Sequence, residues 1–265
     1  MIVIAVLVAF VISIVVAVWL LWAIYSVQIA HWALGSIFIP AQAGPWGDSF
    51  GAFNALFGAL GFAAVLGTLL VQGRSLRMQQ QDQHRQRFDA NFFELLSLMR
   101  ELRSNIRFQY TKEYAEKKSL KVLKDDDPQV YIRGAVSELR YRLEPQNSTD
   151  PFPSLEDVEK IYDEVIDVRF GSRFGPYFRV VYTILRRIDE DRILTAEEKI
   201  RYGNLLRGQL STYDVALICL NSLSPVSGNL KQYLSKYRIP RYLRAGKFKT
   251  FLLHYFEKEC FTSRD

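Results

Sequence analysis

The chain has 265 residues, of which 34 are Lys or Arg and 28 are Asp or Glu, so its formal net charge is +6. The charge is unevenly distributed, because the first 73 residues contain one charged side chain, Asp48, and neither Lys nor Arg. An apolar part suited to a bilayer therefore precedes an aqueous part, 74–265, that is long enough for one domain with a core. The balance of the aqueous part is 34 minus 27, or +7, which favours anionic partners without saying which.

Residues 2–24 are uncharged and mostly aliphatic or aromatic, and they predict a first membrane span. At ~1.5 Å per residue this segment reaches roughly 34 Å, enough to cross a ~30 Å hydrocarbon core with some tilt. A secretory signal peptide is the competing interpretation, but the run is too long and has no basic region before it. Residues 49–71 predict a second span, so residues 1–72 predict a transmembrane helical hairpin.

The orientation of the hairpin is predicted from its flanks. The loop 25–48 contains neither Lys nor Arg, whereas four arginines follow the second span closely: Arg74, Arg77, Arg85 and Arg87. Because basic residues accumulate on the cytoplasmic side of a membrane, we expect residues 74–265 to be cytoplasmic and the protein to be multi-pass.

The second span has a small residue at every fourth position, in a row that comprises Gly47, Gly51, Ala55, Ala59, Ala63 and Gly67. Small side chains on one face of a membrane helix allow another helix to approach closely, and packing then drives association in lipid. The row predicts a packing face. Its partner is either the first span, within the hairpin, or a second copy of the chain in a homo-oligomer, with Asn54 as a polar link.

Residues 73–87 are polar around the helical circumference and predict a solvated helical stalk. Large apolar residues then recur in steps of four and three, at Phe88, Phe92, Leu95, Met99, Leu102 and Ile106. Phe93 and Leu96 widen this seam. A wide seam favours the core face of a domain at 88–265, and a short two-chain coiled coil is the alternative.

The rest of the chain predicts helices, and no segment alternates strictly enough for a strand. Capping signals predict helix starts at Asp127–Pro128, at Ser154 and at Thr195, and Gly175–Pro176 predicts another start. We expect the helix after Thr195 to run to about Leu223. Two shorter helices follow, separated near Pro240. The helix predicted to start at Asp127–Pro128 has a predicted buried face of Ile132, Val136, Leu139 and Leu143. The fold class is all-α.

Signals for catalysis or a cofactor are weak. Cys219 and Cys260 lie far apart in apolar helical patterns, which indicates reduced core residues and neither a disulfide nor a zinc site. His31, His84 and His254 have no second His or Cys at ligand spacing. Four acidic residues in nuclease-like pieces lie in predicted first turns, where they complement the helix dipole: Glu156, Glu159, Glu197 and Glu198. We therefore expect no catalytic residue, no metal and no cofactor.

A basic patch is predicted near the C-terminus, since no Asp or Glu occurs from Val215 to Phe256. It comprises Lys231, Lys236, Arg238, Arg241, Arg244, Lys247 and Lys249, interleaved with Tyr233, Tyr237, Tyr242 and Phe248. Cations with aromatic rings suit nucleic acid. They suit an anionic lipid surface equally well, and a solvated face over core tyrosines is a third interpretation.

Three blocks of the sequence together resemble a known family. They are 88–96 (FDANFFELL), 177–189 (YFRVVYTILRRID) and 202–211 (YGNLLRGQLS), the last continuing to Asn221. With two N-terminal spans before them, they resemble the phage abortive infection proteins of the AbiC-like kind, whereas residues 111–153 have no matching block. The resemblance implies antiphage defence in a bacterium by a membrane-anchored helical effector or sensor, at the inner membrane.

The matched blocks also contain polar residues beside apolar helix faces, namely Tyr177, Arg179, Arg207, Gln209 and Asn221. Polar groups near a core need partners, so these residues predict either a buried network that joins helices or a pocket for an infection signal. The expected partners are the lipid bilayer and a phage component, nucleic acid or anionic lipid. The alternatives to a defence effector or sensor are a membrane-tethered nuclease or nucleic-acid-binding protein and a non-enzymatic adaptor.

Overall fold

The computed structural model describes residues 43–145 and 151–262, together with isolated positions between residues 13 and 35. Every regular element in the two long ranges is helical, which confirms the predicted all-α class for them. The chain divides into two compact units, Met1–Met78 and Gln79–Asp265. The boundary between these units falls within the predicted stalk.

The helices, in chain order, are α1 (Ala43–Ser104), α2 (Lys112–Lys118), α3 (Pro128–Leu143), α4 (Leu155–Tyr162), α5 (Val168–Glu190), α6 (Ala196–Gly208), α7 (Thr212–Asn221), α8 (Leu230–Lys236) and α9 (Lys247–Leu252). A π-helical segment, Asp163–Asp167, connects α4 to α5. Short 3-10 turns lie at Pro225–Ser227, Ile239–Tyr242 and Lys258–Phe261.

In the first unit, α1 contains the predicted second span. Among the described residues it is the one helix that is long and apolar enough to cross a membrane. Ala59 and Ala63, in the predicted row of small residues, are exposed, and a Cβ atom added at Gly51 or Gly67 would meet nothing within 4 Å. The predicted first span, 2–24, lies largely outside the described residues. The hairpin and the partner of the small-residue row therefore stay predictions.

In the second unit, the apolar seam of α1 enters a globular core, as predicted. Phe92 and Met99 are buried in this core, and so is Ile106, which follows the helix. The predicted widening of the seam is confirmed at Leu96, which is buried, and wrong at Phe93, which is 53% exposed.

The solvated stalk does not extend to its predicted end at residue 87. The His84 ring lies 2.8 Å from Oδ2 of Asp191, and Arg85 donates from Nε to Oε1 of Glu198 at 2.9 Å. These contacts join α1 to the end of α5 and to the start of α6. The final turn of the stalk is therefore part of the domain.

Local capping signals are confirmed at three predicted helix starts. Asp127 caps α3 through a bond from the Gln129 N–H at 2.9 Å, with Pro128 in the first turn. Ser154 and Thr195 form reciprocal capping boxes at the starts of α4 and α6. The predicted face of α3 is buried throughout, and the short helices α8 and α9 lie on either side of Pro240.

Two predicted boundaries are wrong. Pro176 starts no helix but lies inside α5, which is continuous with the π-helical segment and α4. Apolar residues on both sides of the proline, including Phe174 and Val181, are buried, and this burial outweighs the lost backbone bond. The single helix predicted to reach Leu223 is two helices, because Ser211 caps a new one.

Helix α7 lies in the core, since every residue from Asp214 to Leu220 is buried. It packs against α3, α4 and the 3-10 turn Ile239–Tyr242, while α5 packs against α6 and α8. Cys219 and Cys260 are buried free cysteines, as predicted. Burial is the main cause that raises the pKa of the Cys219 thiol, which keeps it protonated and unreactive.

Candidate functional site

The start of α7 contains a buried carboxylate that connects three helices. Asp214 is fully buried, and its Oδ2 accepts the Ser211 N–H at 2.8 Å and pairs with Arg103 Nη2 at 2.8 Å. The Tyr177 hydroxyl donates to Oδ1 of the same carboxylate at 3.3 Å. This group, which we call the Asp214 centre, therefore joins α1, α5 and α7.

The Asp214 centre is suited to holding the fold together. Burial raises the pKa of Tyr177 well above its usual value, and the negative charge of Asp214 adds to this effect, while Arg103 opposes it. The phenol therefore stays a neutral donor. Because each carboxylate oxygen of Asp214 has a partner inside the domain, its charge is compensated there.

A second buried carboxylate lies on α3. Glu138 is fully buried, accepts the Thr111 N–H at 3.1 Å and also accepts the Thr111 hydroxyl. Its ion-pair partner is Arg142, one helical turn further on, at 3.3 Å. Arg142 also lies 3.6 Å from Glu113 and from Glu164. This group ties α3 to the residues around α2 and to the π-helical segment.

The five polar residues predicted from the resemblance are in different surroundings. Tyr177 belongs to the Asp214 centre. Arg207 is buried, donates to the Arg238 carbonyl at 3.3 Å and lies over the Tyr242 ring at 5.0 Å. Asn221 accepts the Tyr162 hydroxyl at 3.2 Å.

The remaining two of the five, Arg179 and Gln209, are exposed. Gln209 ends α6. The contacts described for Tyr177, Arg207 and Asn221 are with different partners.

Two of these five residues share a cavity. Arg179 and Asn221 both line a space of about 660 Å³ between α5 and the segment that follows α7. Asp167 lies in its wall, and burial raises the pKa of this carboxyl, an effect that the charge of Asp163 and a hydrogen bond with it increase. The cavity therefore contains both a cation, Arg179, and a carboxyl group, Asp167, and does not favour a ligand of one charge.

The predicted basic patch is divided by the fold, and several of its cations contact other parts of the domain. Lys236 pairs with Asp189, and Arg238 donates to the Thr262 carbonyl at 3.5 Å. Burial alone would raise the pKa of Asp189, but hydrogen bonds from Lys236 and Tyr237 outweigh it and lower the pKa. Lys231 lies 5.7 Å from the Phe256 ring centre. These three cations therefore contact other residues of the domain and are only partly available to an external partner.

The aromatic residues of the patch are divided in the same way. Tyr233 and Tyr237 are buried, whereas Tyr242 is 57% exposed and has Arg241 at 5.5 Å from its ring centre. Two buried tyrosines are unavailable to stack on bases. A long strand-binding surface along the whole patch is therefore not supported.

The two other described cations of the patch, Arg244 and Lys249, line a cavity of about 610 Å³ beside the first turn of α7. Arg140 of α3 joins them there, while the side chain of Lys247 is outside the described residues. The cavity wall described here has no Asp or Glu. We call this space the basic cavity.

Sequence reasoning missed Asp214 and Arg140. A signal for Asp214 exists, because Ser211-x-x-Asp214 is a capping pattern like the ones recognised before α4 and α6. Arg140 gave no local signal, since its place beside Arg244 depends on long-range packing. Within the described residues, no group of three or more His, Cys, Asp or Glu side chains is arranged to hold a metal ion.

Comparison with protein families identifies one matching segment, which contains α7 and much of the basic patch. Residues 169–248 match the family model described as "Putative phage abortive infection protein". The suspected resemblance is confirmed over that segment. It contains two of the three blocks, 177–189 and 202–211, and it covers α5 to α8 and most of the cations of the basic patch. Neither a curated protein nor a solved structure matches the chain.

Proposed function

We propose that this protein is a membrane-anchored antiphage defence protein that acts in abortive infection at the inner membrane of a bacterium. The observation that carries the proposal is the match of residues 169–248 to the phage abortive infection family. A membrane location is supported by the long apolar part of α1 and by the near absence of charge in the first 73 residues. The cytoplasmic domain is then the part that detects infection or acts on it.

The two fully buried carboxylates give no support to the nuclease alternative. Asp214 and Glu138 are fully buried, and each is paired with an arginine. A nuclease needs carboxylates that reach a metal ion or a substrate phosphate, and these two are enclosed by the fold. The second-unit cavities remain available for a ligand that reports infection.

The defence role is tested by expressing the complete chain in a susceptible bacterium and infecting it with a panel of phages. At a low ratio of phage to cells we expect the culture to survive, because the first infected cells release few progeny. At a high ratio the culture should stop growing, since most cells are infected and abort. Cells that carry the same gene with an early stop codon provide the control. Unchanged phage yields across the panel would refute the proposal.

The same infections separate the kinds of effector. A voltage-sensitive dye reports the membrane potential, and gel analysis reports the integrity of host and phage nucleic acid. We expect depolarisation with intact nucleic acid. Degraded nucleic acid with an intact potential would instead favour the nuclease alternative.

A further inference from the structure

The basic cavity has the size and the surroundings of a binding site for a small ligand. Its volume of about 610 Å³ lies within the range of ~300–1,000 Å³ that ligand pockets occupy. Its walls come from α3, from the first turn of α7 and from the segment that leads into α9. Three separate parts of the second unit therefore converge on one space.

Charge in this cavity has one sign. Arg140, Arg244 and Lys249 line it, and the described wall contains no carboxylate. Arg140 is partly neutralised by Glu144, whose Oε1 lies 3.3 Å from its Nε. Arg244 and Lys249 have no carboxylate partner among the described residues, and Nζ of Lys249 lies 5.5 Å from the Phe261 ring centre. Two cations in one cavity repel each other unless an anion enters, and guanidinium and ammonium groups are the usual partners of phosphate.

The backbone adds to this anionic preference. The first turn of α7 is at the cavity through Ser211, Thr212 and Tyr213. Its capping box uses the N–H groups of Ser211 and Asp214, so those of Thr212 and Tyr213 are the ones that lack a partner inside the helix. In the segment that leads into α9, Gly246 has a φ of +155°, in a region that residues other than glycine rarely adopt. A Cβ atom there would meet nothing within 4 Å, so the backbone conformation requires the glycine. This conformation turns the chain between Arg244 and Lys249.

Two aromatic rings line the same space. Tyr213 is 39% exposed, and Phe248 is held in place by stacking on Phe251 at 5.9 Å with an interplanar angle of 12°. The Ser211 hydroxyl and the Gln129 side-chain amide also line the cavity, where they are hydrogen-bonded to each other at 3.0 Å. Cations suited to phosphate and rings suited to a planar base therefore line one cavity. From this arrangement we infer that the basic cavity binds a free nucleotide, with its phosphates at Arg244 and Lys249 and its base at Tyr213 and Phe248.

The site is tested on the purified full-length chain in nanodiscs of phosphatidylcholine, which carries no net charge and so does not compete for the cations. ATP, GTP, adenosine and inorganic phosphate are titrated calorimetrically. We expect ATP or GTP to bind at least about tenfold more tightly than adenosine or phosphate, because only the nucleotides engage both the cations and the rings. Absence of nucleotide binding would overturn the assignment, as would equal binding of phosphate.

Variants place the binding in the cavity. Arg244→Gln and Lys249→Gln should each weaken binding of the preferred nucleotide by about tenfold or more, since each removes a charge-assisted hydrogen bond. Arg241→Gln and Lys231→Gln make the same changes at cations outside the cavity and should leave binding within about twofold. Equal melting temperatures of the unliganded variants would show that they are folded. A nucleotide affinity that neither cavity variant lowers would overturn the site. The proposal stands or fails independently of the defence role, because purified protein is measured without phage.

Discussion

At the scale of single residues, the Asp214 centre contains two unequally buried charges. The Asp214 side chain is fully buried, whereas the Arg103 side chain is 21% exposed and lies 2.8 Å away. Removing one partner of a buried pair costs most when the charge that remains cannot reach water. The two halves of this ion pair should therefore respond differently to substitution.

Arg103→Met leaves the Asp214 carboxylate buried, with only the Ser211 N–H and the Tyr177 hydroxyl as partners. We expect it to lower the free energy of unfolding by ~3–5 kcal/mol. Asp214→Asn retains an oxygen acceptor, and the exposed part of Arg103 can turn to solvent, so the loss should be smaller. Chemical denaturation of the full chain in detergent, followed by circular dichroism, measures both. Arg100→Met, at an exposed position of the same helix, is the control. A larger loss for Asp214→Asn would contradict this account.

At the scale of elements, the sequence predicts starts of helices better than their continuity. The starts of α3, α4 and α6 depend on caps within a few residues, and such local signals can be read without a structure. Pro176 was misjudged because the core, which the sequence does not show, buries Phe174 and Val181 on both sides of it. The break at Ser211 has the same kind of local signal, the capping pattern Ser211-x-x-Asp214, but no proline marks it and the predicted helix runs through it.

The dependence on long-range packing also explains how much of the candidate site the sequence predicts. The blocks that carry the resemblance pointed to Tyr177, Arg207 and Asn221, and each of these does meet a polar partner. Those partners are 31 to 59 residues away in sequence, so no local pattern could identify them. The division of the basic patch also depends on which cations meet Asp189 or the basic cavity, and only packing decides that.

Two glycines of α6 provide a matched test of packing between elements. A Cβ atom at Gly203 would lie 2.5 Å from the ring of Tyr237, a buried residue whose hydroxyl donates to Oδ1 of Asp189 at 2.9 Å. A Cβ atom at Gly208 would meet nothing within 4 Å. We expect Gly203→Ala to lower the melting temperature, because overpacking costs ~1–3 kcal/mol and exceeds the gain of about 1 kcal/mol in helix propensity.

Gly208→Ala keeps the gain in propensity without the clash, so its melting temperature should be equal to the wild-type value or higher. Both are measured on the full chain in detergent by circular dichroism at 222 nm, a wavelength that reports helix. A rise for both variants would show that Tyr237 moves aside without cost. It would contradict the close packing of α6 against the segment between α8 and the 3-10 turn Ile239–Tyr242.

At the scale of the whole molecule, the distribution of charge is the clearest feature. All 34 Lys and Arg follow residue 73, and 27 of the 28 Asp and Glu do so as well. An apolar N-terminal part and a charged C-terminal part predict that the second unit lies in water while α1 enters a bilayer. The side on which the second unit lies follows from the arginines nearest the membrane.

The predicted topology is tested with two reporter proteins, one that is active only outside the cytoplasm and one that is active only inside it. Alkaline phosphatase, which is active only outside the cytoplasm, should be inactive when it is fused after residue 265 and active when inserted within 36–46. A fluorescent protein that folds only in the cytoplasm should give the reverse pattern at the same two sites. The reason is that Arg74, Arg77, Arg85 and Arg87 follow the apolar part of α1, whereas the loop 25–48 has no basic residue, and basic flanks are retained in the cytoplasm. Phosphatase activity from the C-terminal fusion would place the second unit outside the cytoplasm. That result would remove its access to an intracellular nucleotide and to replicating phage.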